Sequence, residues 1–81
     1  MNHTDRTAYQ QAFKRKASTY DMGACRRAIA DIDATLLIHE CRQTANEPTD
    51  YVTRLWLERD AMLDRQSDIC RQIIRELESE E

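Results

Sequence analysis

The spacing of apolar side chains along the chain predicts three α-helices, near residues 5–18, 21–44 and 48–78. In each segment apolar residues recur every three or four positions, which is the period of an amphipathic helix. The second and third helices are separated near Pro48, because proline cannot lie inside a helix but fits its first turn. A connection this short favours neighbouring antiparallel helices. The sequence therefore predicts an all-α fold, one helical domain spanning residues 1–81, whose last two helices form a long antiparallel hairpin.

The second predicted helix is apolar on two opposite faces. One face has coiled-coil-like spacing, and we expect it to pack against the third helix. This seam consists of Cys25, Ala28, Ile29, Ile32, Leu36 and His39. The opposite face consists of Ala30, Ala34, Leu37, Ile38, Cys41 and Ala45. A helix that is apolar on two sides is expected to lie between two other elements.

The opposite face of the second helix is the predicted partner-binding surface, because an uncovered apolar patch marks an interaction site. Three elements could cover this face: the first helix, a second copy of the chain, or a foreign protein. The first helix has only two large apolar side chains to offer, so we expect it to cover this face in part. The predicted binding residues are Ala34, Leu37, Ile38 and Cys41, together with Tyr9 and Phe13 of the first helix.

The third predicted helix carries a sustained apolar stripe. Its members are Val52, Leu55, Trp56, Met62, Leu63, Ile69, Cys70, Ile73, Ile74 and Leu77. Arg59 and Gln66 lie in the middle of this stripe. The favoured interpretation is that both stay within the hairpin, with Arg59 meeting a carboxylate or His39; the alternative is a stripe open to a partner's acidic group. Leu57 lies opposite the stripe among charges, where we expect it to be exposed.

The junction between the first two helices contains several side chains that can cap a helix. The run Ser18–Asp21 favours a break, with the second helix starting near Asp21. The alternative is one longer helix that is kinked at Gly23. At the start of the first helix, Thr4 is the expected N-cap and Asp5 complements the helix dipole.

Composition and charge restrict the classes of partner. The 81 residues are 33% charged and 41% hydrophobic with one Gly and one Pro, which is typical of a folded helical protein. Net charge is −3, yet residues 1–27 are mainly basic and the remainder is acidic. We expect the first helix to attract the acidic third helix or an acidic partner. We do not expect nucleic-acid binding, because the chain lacks helix-turn-helix and zinc-finger spacing.

We expect neither a secretory signal nor a membrane-spanning stretch, since no basic start precedes an apolar run and the longest apolar block is 36–38. The three cysteines are isolated at core-like positions, and we interpret them as buried thiols in a reducing cytoplasm. His39 and Cys41 point to opposite sides of a helix, so they cannot form a nucleophile and base pair. We predict no enzymatic activity, no catalytic residues, and no cofactor or metal site.

One stretch of the chain resembles a known family. The turn Glu47-Pro48-Thr49-Asp50-Tyr51 and the sequence Ile69-Cys70-Arg71-Gln72-Ile73-Ile74, with the helical periodicity between residues 22 and 75, look like the small co-chaperones of type III secretion needle subunits. That resemblance implies a cytoplasmic protein that joins a tetratricopeptide-type chaperone. It also implies that the protein keeps the needle subunit from polymerising early.

The functional hypothesis is therefore a non-enzymatic protein–protein interaction module, an adaptor or co-chaperone of a secretion-system subunit. The expected partner is another protein rich in helices, and self-association into a homo-oligomer is the other form of contact considered. The alternative is a small phage or mobile-element inhibitor that blocks a host defence or nucleic-acid-handling complex. Length, acidity and the lack of catalytic residues suit both hypotheses.

Overall fold

The computed structural model describes residues 2–42 and 50–79, and for residues 40–42 it describes the backbone alone. In these ranges the chain forms three α-helices and no strand: α1 (His3–Ala17), α2 (Met22–Arg42) and α3 (Asp50–Ser79). The prediction of an all-α fold with three helices is confirmed. The predicted end of the second helix at 44, the predicted start of the third at 48 and the turn at Pro48 lie outside the described residues.

The first helix begins earlier than expected because a different side chain caps it. The Asn2 side-chain oxygen accepts a hydrogen bond from the backbone N–H of Asp5 at 2.8 Å. This satisfies one of the free N–H groups of the first turn. The N-cap is therefore Asn2, and the expectation that Thr4 would cap α1 is wrong.

A tight turn separates α1 from α2. The backbone N–H of Tyr20 donates to the Ala17 carbonyl at 2.9 Å. The Asp21 carboxylate then accepts from the backbone N–H of Ala24 at 2.7 Å, which caps α2. The alternative of one long helix kinked at Gly23 is thus wrong, since the backbone leaves the helix at 18–21 and starts again at Met22.

The helix that lies between two others is α3. It packs against both α1 and α2, whereas α1 and α2 make few contacts with each other. The expectation that the second helix would hold the middle position is wrong. The physical reason is that the apolar positions of α1 recur every four residues and meet a second flank of α3. Tyr9 lies against Arg54, and Phe13 and Ala17 join the cluster that contains Ala61.

The core consists of two clusters. The first joins all three helices through Ala17, Cys25, Ala61 and Met62, and the second joins α2 and α3 through Ile32, Leu36 and Val52. Met62 and Cys25 have 0% exposure. The predicted seam of α2 is confirmed, because each of its members is buried or half-buried.

Leu57 corrects the expectation for the polar side of α3. It is 4% exposed, although its neighbours in sequence are charged. Gln10 and Lys14 of α1 line a cleft with Leu57 and Ala61, so α1 covers this flank of α3. The aliphatic stems of long polar side chains can exclude water from a leucine in this way.

A salt bridge joins the basic end of α1 to α3. The Lys16 ammonium donates to a Glu58 carboxylate oxygen at 2.7 Å. The hydrogen bond to Glu58 raises the pKa of Lys16 above its ordinary value, although desolvation acts in the opposite direction. The predicted attraction between the first helix and the acidic third helix is therefore confirmed at this pair.

The predicted apolar stripe of α3 is buried only in part. Val52 and Met62 are buried, but Trp56 is 54% exposed and Leu63 is 36% exposed. The expectation that Leu63 would be a core residue is wrong. Since α2 packs along one edge of the stripe, the other edge remains open to solvent.

The burial of Leu57 generates a stability prediction. Leu57→Ala should lower the free energy of unfolding by about 2–5 kcal/mol, because it leaves a cavity between α1 and α3. Ile32→Ala should have a similar effect between α2 and α3. Urea denaturation measures both. Leu37→Ala, at a position that is 62% exposed, is the control and should change stability by less than about 1 kcal/mol; equal effects at positions 37 and 57 would contradict the docking of α1.

A double-mutant cycle tests the Lys16–Glu58 salt bridge. Lys16→Met and Glu58→Gln should show a coupling of about 0.2–1 kcal/mol, since the Lys16 side chain remains 48% exposed. Because the pKa of Lys16 is raised from its ordinary 10.5, this coupling should be present below that pH as long as Glu58 is ionised, and it should disappear as pH rises through the raised value. Molar salt should reduce it. A coupling of zero at low salt would show that this ion pair does not stabilise the fold.

Candidate interaction surfaces

The first candidate surface lies on the side of α2 that faces away from α3, and we call it the α2 outer face. Its described members are Ala30, Ala34, Leu37 and Ile38, all exposed. Leu37 is 62% exposed and Ile38 is 52% exposed. Three- and four-residue spacing places these side chains on one ridge of the helix. The side chain of Cys41, predicted to belong to this face, lies outside the described side chains.

Tyr9 and Phe13 do not join the α2 outer face. Both are half-buried on α1, where their rings stack with centroids 6.1 Å apart. Phe13 packs against the core cluster that contains Ala17 and Met62. The expectation that α1 would partly cover the second face of α2 is therefore wrong, because the apolar side chains of α1 are already used against α3.

The second candidate surface is the open edge of α3, and we call it the α3 stripe. Its members are Trp56, Leu63, Cys70, Ile73, Ile74 and Leu77, all exposed. The sequence analysis placed these residues on a stripe whose favoured interpretation was packing within the hairpin, with a stripe open to a partner as the alternative. The difference in helix length could have indicated this exposure. The 30 residues of α3 cannot all be covered by the 21 residues of α2.

Arg59 lies beside the α3 stripe and is held by α2. Its Nε donates to an Asp33 carboxylate oxygen at 2.7 Å. The interpretation that Arg59 meets a carboxylate within the helix pair is confirmed. Arg59 also lines a shallow cavity of about 260 Å³ with Leu36, Trp56 and Asp60. Gln66, the other polar residue of the predicted stripe, is half-buried.

An aromatic and cationic cluster lies near the start of α3. The Arg54 guanidinium lies 5.5 Å from the Tyr9 ring centroid and 5.9 Å from that of Tyr51. His39 meets Tyr51 edge-on with ring centroids 5.0 Å apart. Cation–π and edge-to-face contacts of this kind favour packing among all three helices at this end. His39 thus has a structural role, because its ring packs against Tyr51 of α3.

The two described thiols differ in environment. Cys25 is buried in the core cluster, and burial raises the pKa of its thiol. Cys70 is exposed on the α3 stripe. The expectation of three buried thiols is therefore wrong for Cys70, because α3 extends past its neighbours at that position, and for Cys41 the described side chains give no test.

Chemical sites are sparse in the part of the chain that the structure describes. Within it, no group of three or more His, Cys, Asp or Glu side chains is placed to hold a metal ion. Among the same residues, no helix combines the length and the hydropathy that crossing a membrane requires. The features that stand out are the two apolar surfaces.

Comparison with known proteins returns no match for the chain among family models, curated proteins or solved structures.

Thiol labelling distinguishes Cys25 from Cys70. In a Cys41→Ala background at submicromolar protein, we expect a maleimide to modify Cys70 rapidly and Cys25 only after unfolding. A buried thiol of raised pKa supplies little of the reactive thiolate. Mass spectrometry of digested protein reads out the two sites. Equal native rates at both would contradict the burial of Cys25.

Proposed function

We propose that the chain is a non-enzymatic helical module that binds another helix-rich protein through the α2 outer face. The observation that carries the proposal is the exposure of Leu37 and Ile38 on a helix whose other side packs against α3 through Ile32 and Leu36. Scattered exposed apolar residues are ordinary in soluble proteins. Here two large side chains adjoin Ala30 and Ala34 along one ridge, which is the form of a contact surface.

The proposed module includes an antiparallel hairpin of α2 and α3. Three contacts support this arrangement, because residues later in α2 meet residues earlier in α3. The His39 ring meets Tyr51, the Asp33 carboxylate accepts from Arg59, and the Tyr20 carbonyl just before α2 accepts from Arg65 at 2.9 Å. Such a hairpin presents the α2 outer face as a straight ridge.

The shape of the α2 outer face favours a helical partner. Ala30 and Ala34 permit close approach of a second backbone, while Leu37 and Ile38 fill the grooves between side chains of a facing helix. A groove between partner helices would accept this ridge in the helix-in-groove mode. Burial of Leu37 and Ile38 would contribute about 1.5–3 kcal/mol each before the costs of association.

The resemblance of residues 22–75 to needle-subunit co-chaperones supplies a specific form of the proposal. In that form the partner is a tetratricopeptide-type chaperone in the cytoplasm, and the complex prevents early polymerisation of a needle subunit. An exposed free thiol at Cys70 suits a reducing compartment of this kind. The adaptor role is thus the proposed function, with the α2 outer face as its binding surface.

Leu37→Asp combined with Ile38→Asp tests the α2 outer face. A tagged chain captures its partner from the native host, mass spectrometry identifies it, and binding is then repeated with purified partner. We expect the double variant to lose at least tenfold in affinity while circular dichroism shows unchanged helix content, since both side chains are exposed in the folded chain.

Arg26→Ala combined with Arg27→Ala is the matched control. This pair also lowers the net charge by two, yet it leaves the apolar ridge intact, so it should retain the partner. Equal binding by the Leu37/Ile38 variant and the wild-type chain would show that the surface is elsewhere. Capture of a nuclease or host defence subunit would replace the adaptor role with an inhibitory one.

A further inference from the structure

A cavity of about 260 Å³ lies between α2 and α3, and we call it the Trp56 cavity. Its walls are Leu36 of α2 and Trp56, Arg59 and Asp60 of α3. Pockets that hold drug-sized ligands are larger, roughly 300–1,000 Å³. The Trp56 cavity therefore suits one inserted side chain better than a whole small molecule.

Trp56 gives this cavity an aromatic wall. The indole is 54% exposed, so about half of its surface is open to a further contact. Among aromatic side chains, tryptophan attracts a cation most strongly through the face of its ring. The same face also accepts an apolar group. The charges of the other walls distinguish between these two kinds of occupant.

The unbalanced charge of the Trp56 cavity is negative. Arg59 is already neutralised, because its Nε donates to an Asp33 carboxylate oxygen at 2.7 Å. No hydrogen bond or ion pair joins the Asp60 carboxylate to the residues that the structure describes. Asp60 lies four residues after Trp56, which places the carboxylate and the indole on one side of α3. A cation that enters the cavity would meet both.

Arginine combines the two properties that these walls require. Its planar guanidinium stacks on an aromatic face and still directs N–H donors at a carboxylate beside the ring. A carboxylate in the same place would be repelled by Asp60. An apolar side chain would take water away from Asp60 without giving it a hydrogen bond, which costs free energy.

The Trp56 cavity adjoins the α2 outer face. Asp33 and Leu37 lie four residues apart, so they share one edge of α2. Asp33 holds Arg59, a wall of the cavity, and this edge therefore borders the cavity. A helix that lies on Leu37 can reach the cavity with one long side chain.

We propose that the helix-rich partner of the α2 outer face inserts an arginine side chain into the Trp56 cavity, with its guanidinium on the Trp56 ring and paired with the Asp60 carboxylate. This inference rests on the proposed function, because it names the chemistry of the partner at the border of the same surface. Leu37 and Ile38 supply the apolar contact. The cavity supplies specificity, since a charge-assisted hydrogen bond depends on the identity of the inserted side chain.

A small arginine probe tests the cavity without the partner. Trp56 is the only tryptophan of the chain, so its indole N–H gives one resonance in a proton–nitrogen correlation spectrum. N-acetyl-arginine amide is titrated at neutral pH and constant ionic strength, with N-acetyl-citrulline amide as its uncharged analogue. We expect the initial shift of the Trp56 resonance per unit of probe concentration to be at least about threefold larger for the arginine probe.

Asp60→Asn should abolish this preference for the arginine probe. Asp64→Asn is the matched control, because it makes the same change of charge one turn further along α3, where Asp64 lines the cavities on the α1 side. The control should keep the preference. Equal shifts with the two probes, a preference that survives Asp60→Asn, or a larger shift with N-acetyl-glutamate amide would overturn the proposal.

The purified partner gives the second test. Asp60→Asn should weaken its binding about tenfold, since a lost charge-assisted hydrogen bond has an effect of that order, while Asp64→Asn should change it less than about twofold. Circular dichroism should show unchanged helix content for both variants, because both residues are exposed. Wild-type affinity in the Asp60→Asn variant would overturn the proposal.

The proposed function and this inference fail in different ways. Leu37→Asp with Ile38→Asp should lose the partner yet keep the preference for the arginine probe, because it leaves the walls of the cavity unchanged. Loss of the partner in that variant but not in Asp60→Asn leaves the proposed function in place and overturns this inference. Loss in Asp60→Asn alone keeps the cavity as a binding site and overturns the α2 outer face.

Discussion

The close approach of three helices around Met62 is the contact on which the rest of the structure depends. Ala17 of α1, Cys25 at the start of α2 and Ala61 of α3 are all small and buried, so their backbones can come together around the one long side chain. Ala61 and Met62 both belong to this cluster, so α3 contacts α1 and α2 at the same level of the fold. Once α1 has packed there, its apolar residues are no longer available to cover α2.

The two exposed surfaces follow from this arrangement and from unequal helix lengths. The α2 outer face remains open because α1 lies on α3, and residues 70–79 of α3 remain exposed because neither neighbouring helix covers them. They differ in chemistry. The α2 outer face is a ridge around Leu37 and Ile38, whereas the α3 stripe is a longer apolar edge beside the half-buried amide of Gln66.

The polar residues near the core orient the helices. Asp33 and Arg59 join α2 to α3, Lys16 and Glu58 join α1 to α3, and the Arg54 guanidinium lies against Tyr9 and Tyr51. Exposed ion pairs contribute little to the free energy of folding, so apolar burial remains the main source of stability. These polar contacts favour one arrangement of the three helices among those that the apolar pattern would allow.

The sequence by itself determined the three helices, the α2 seam from Cys25 to His39, and the Arg59 contact with a carboxylate, because each depends on local spacing or on one pairing of helices. Only the tertiary structure decided that α3 is central, that Leu57 is buried and that Leu63 and Cys70 are exposed. An amphipathic pattern states which sides of a helix are apolar, but it does not state which neighbour reaches them. The α2 outer face was visible as a pattern, while the freedom of that face depended on where α1 packs.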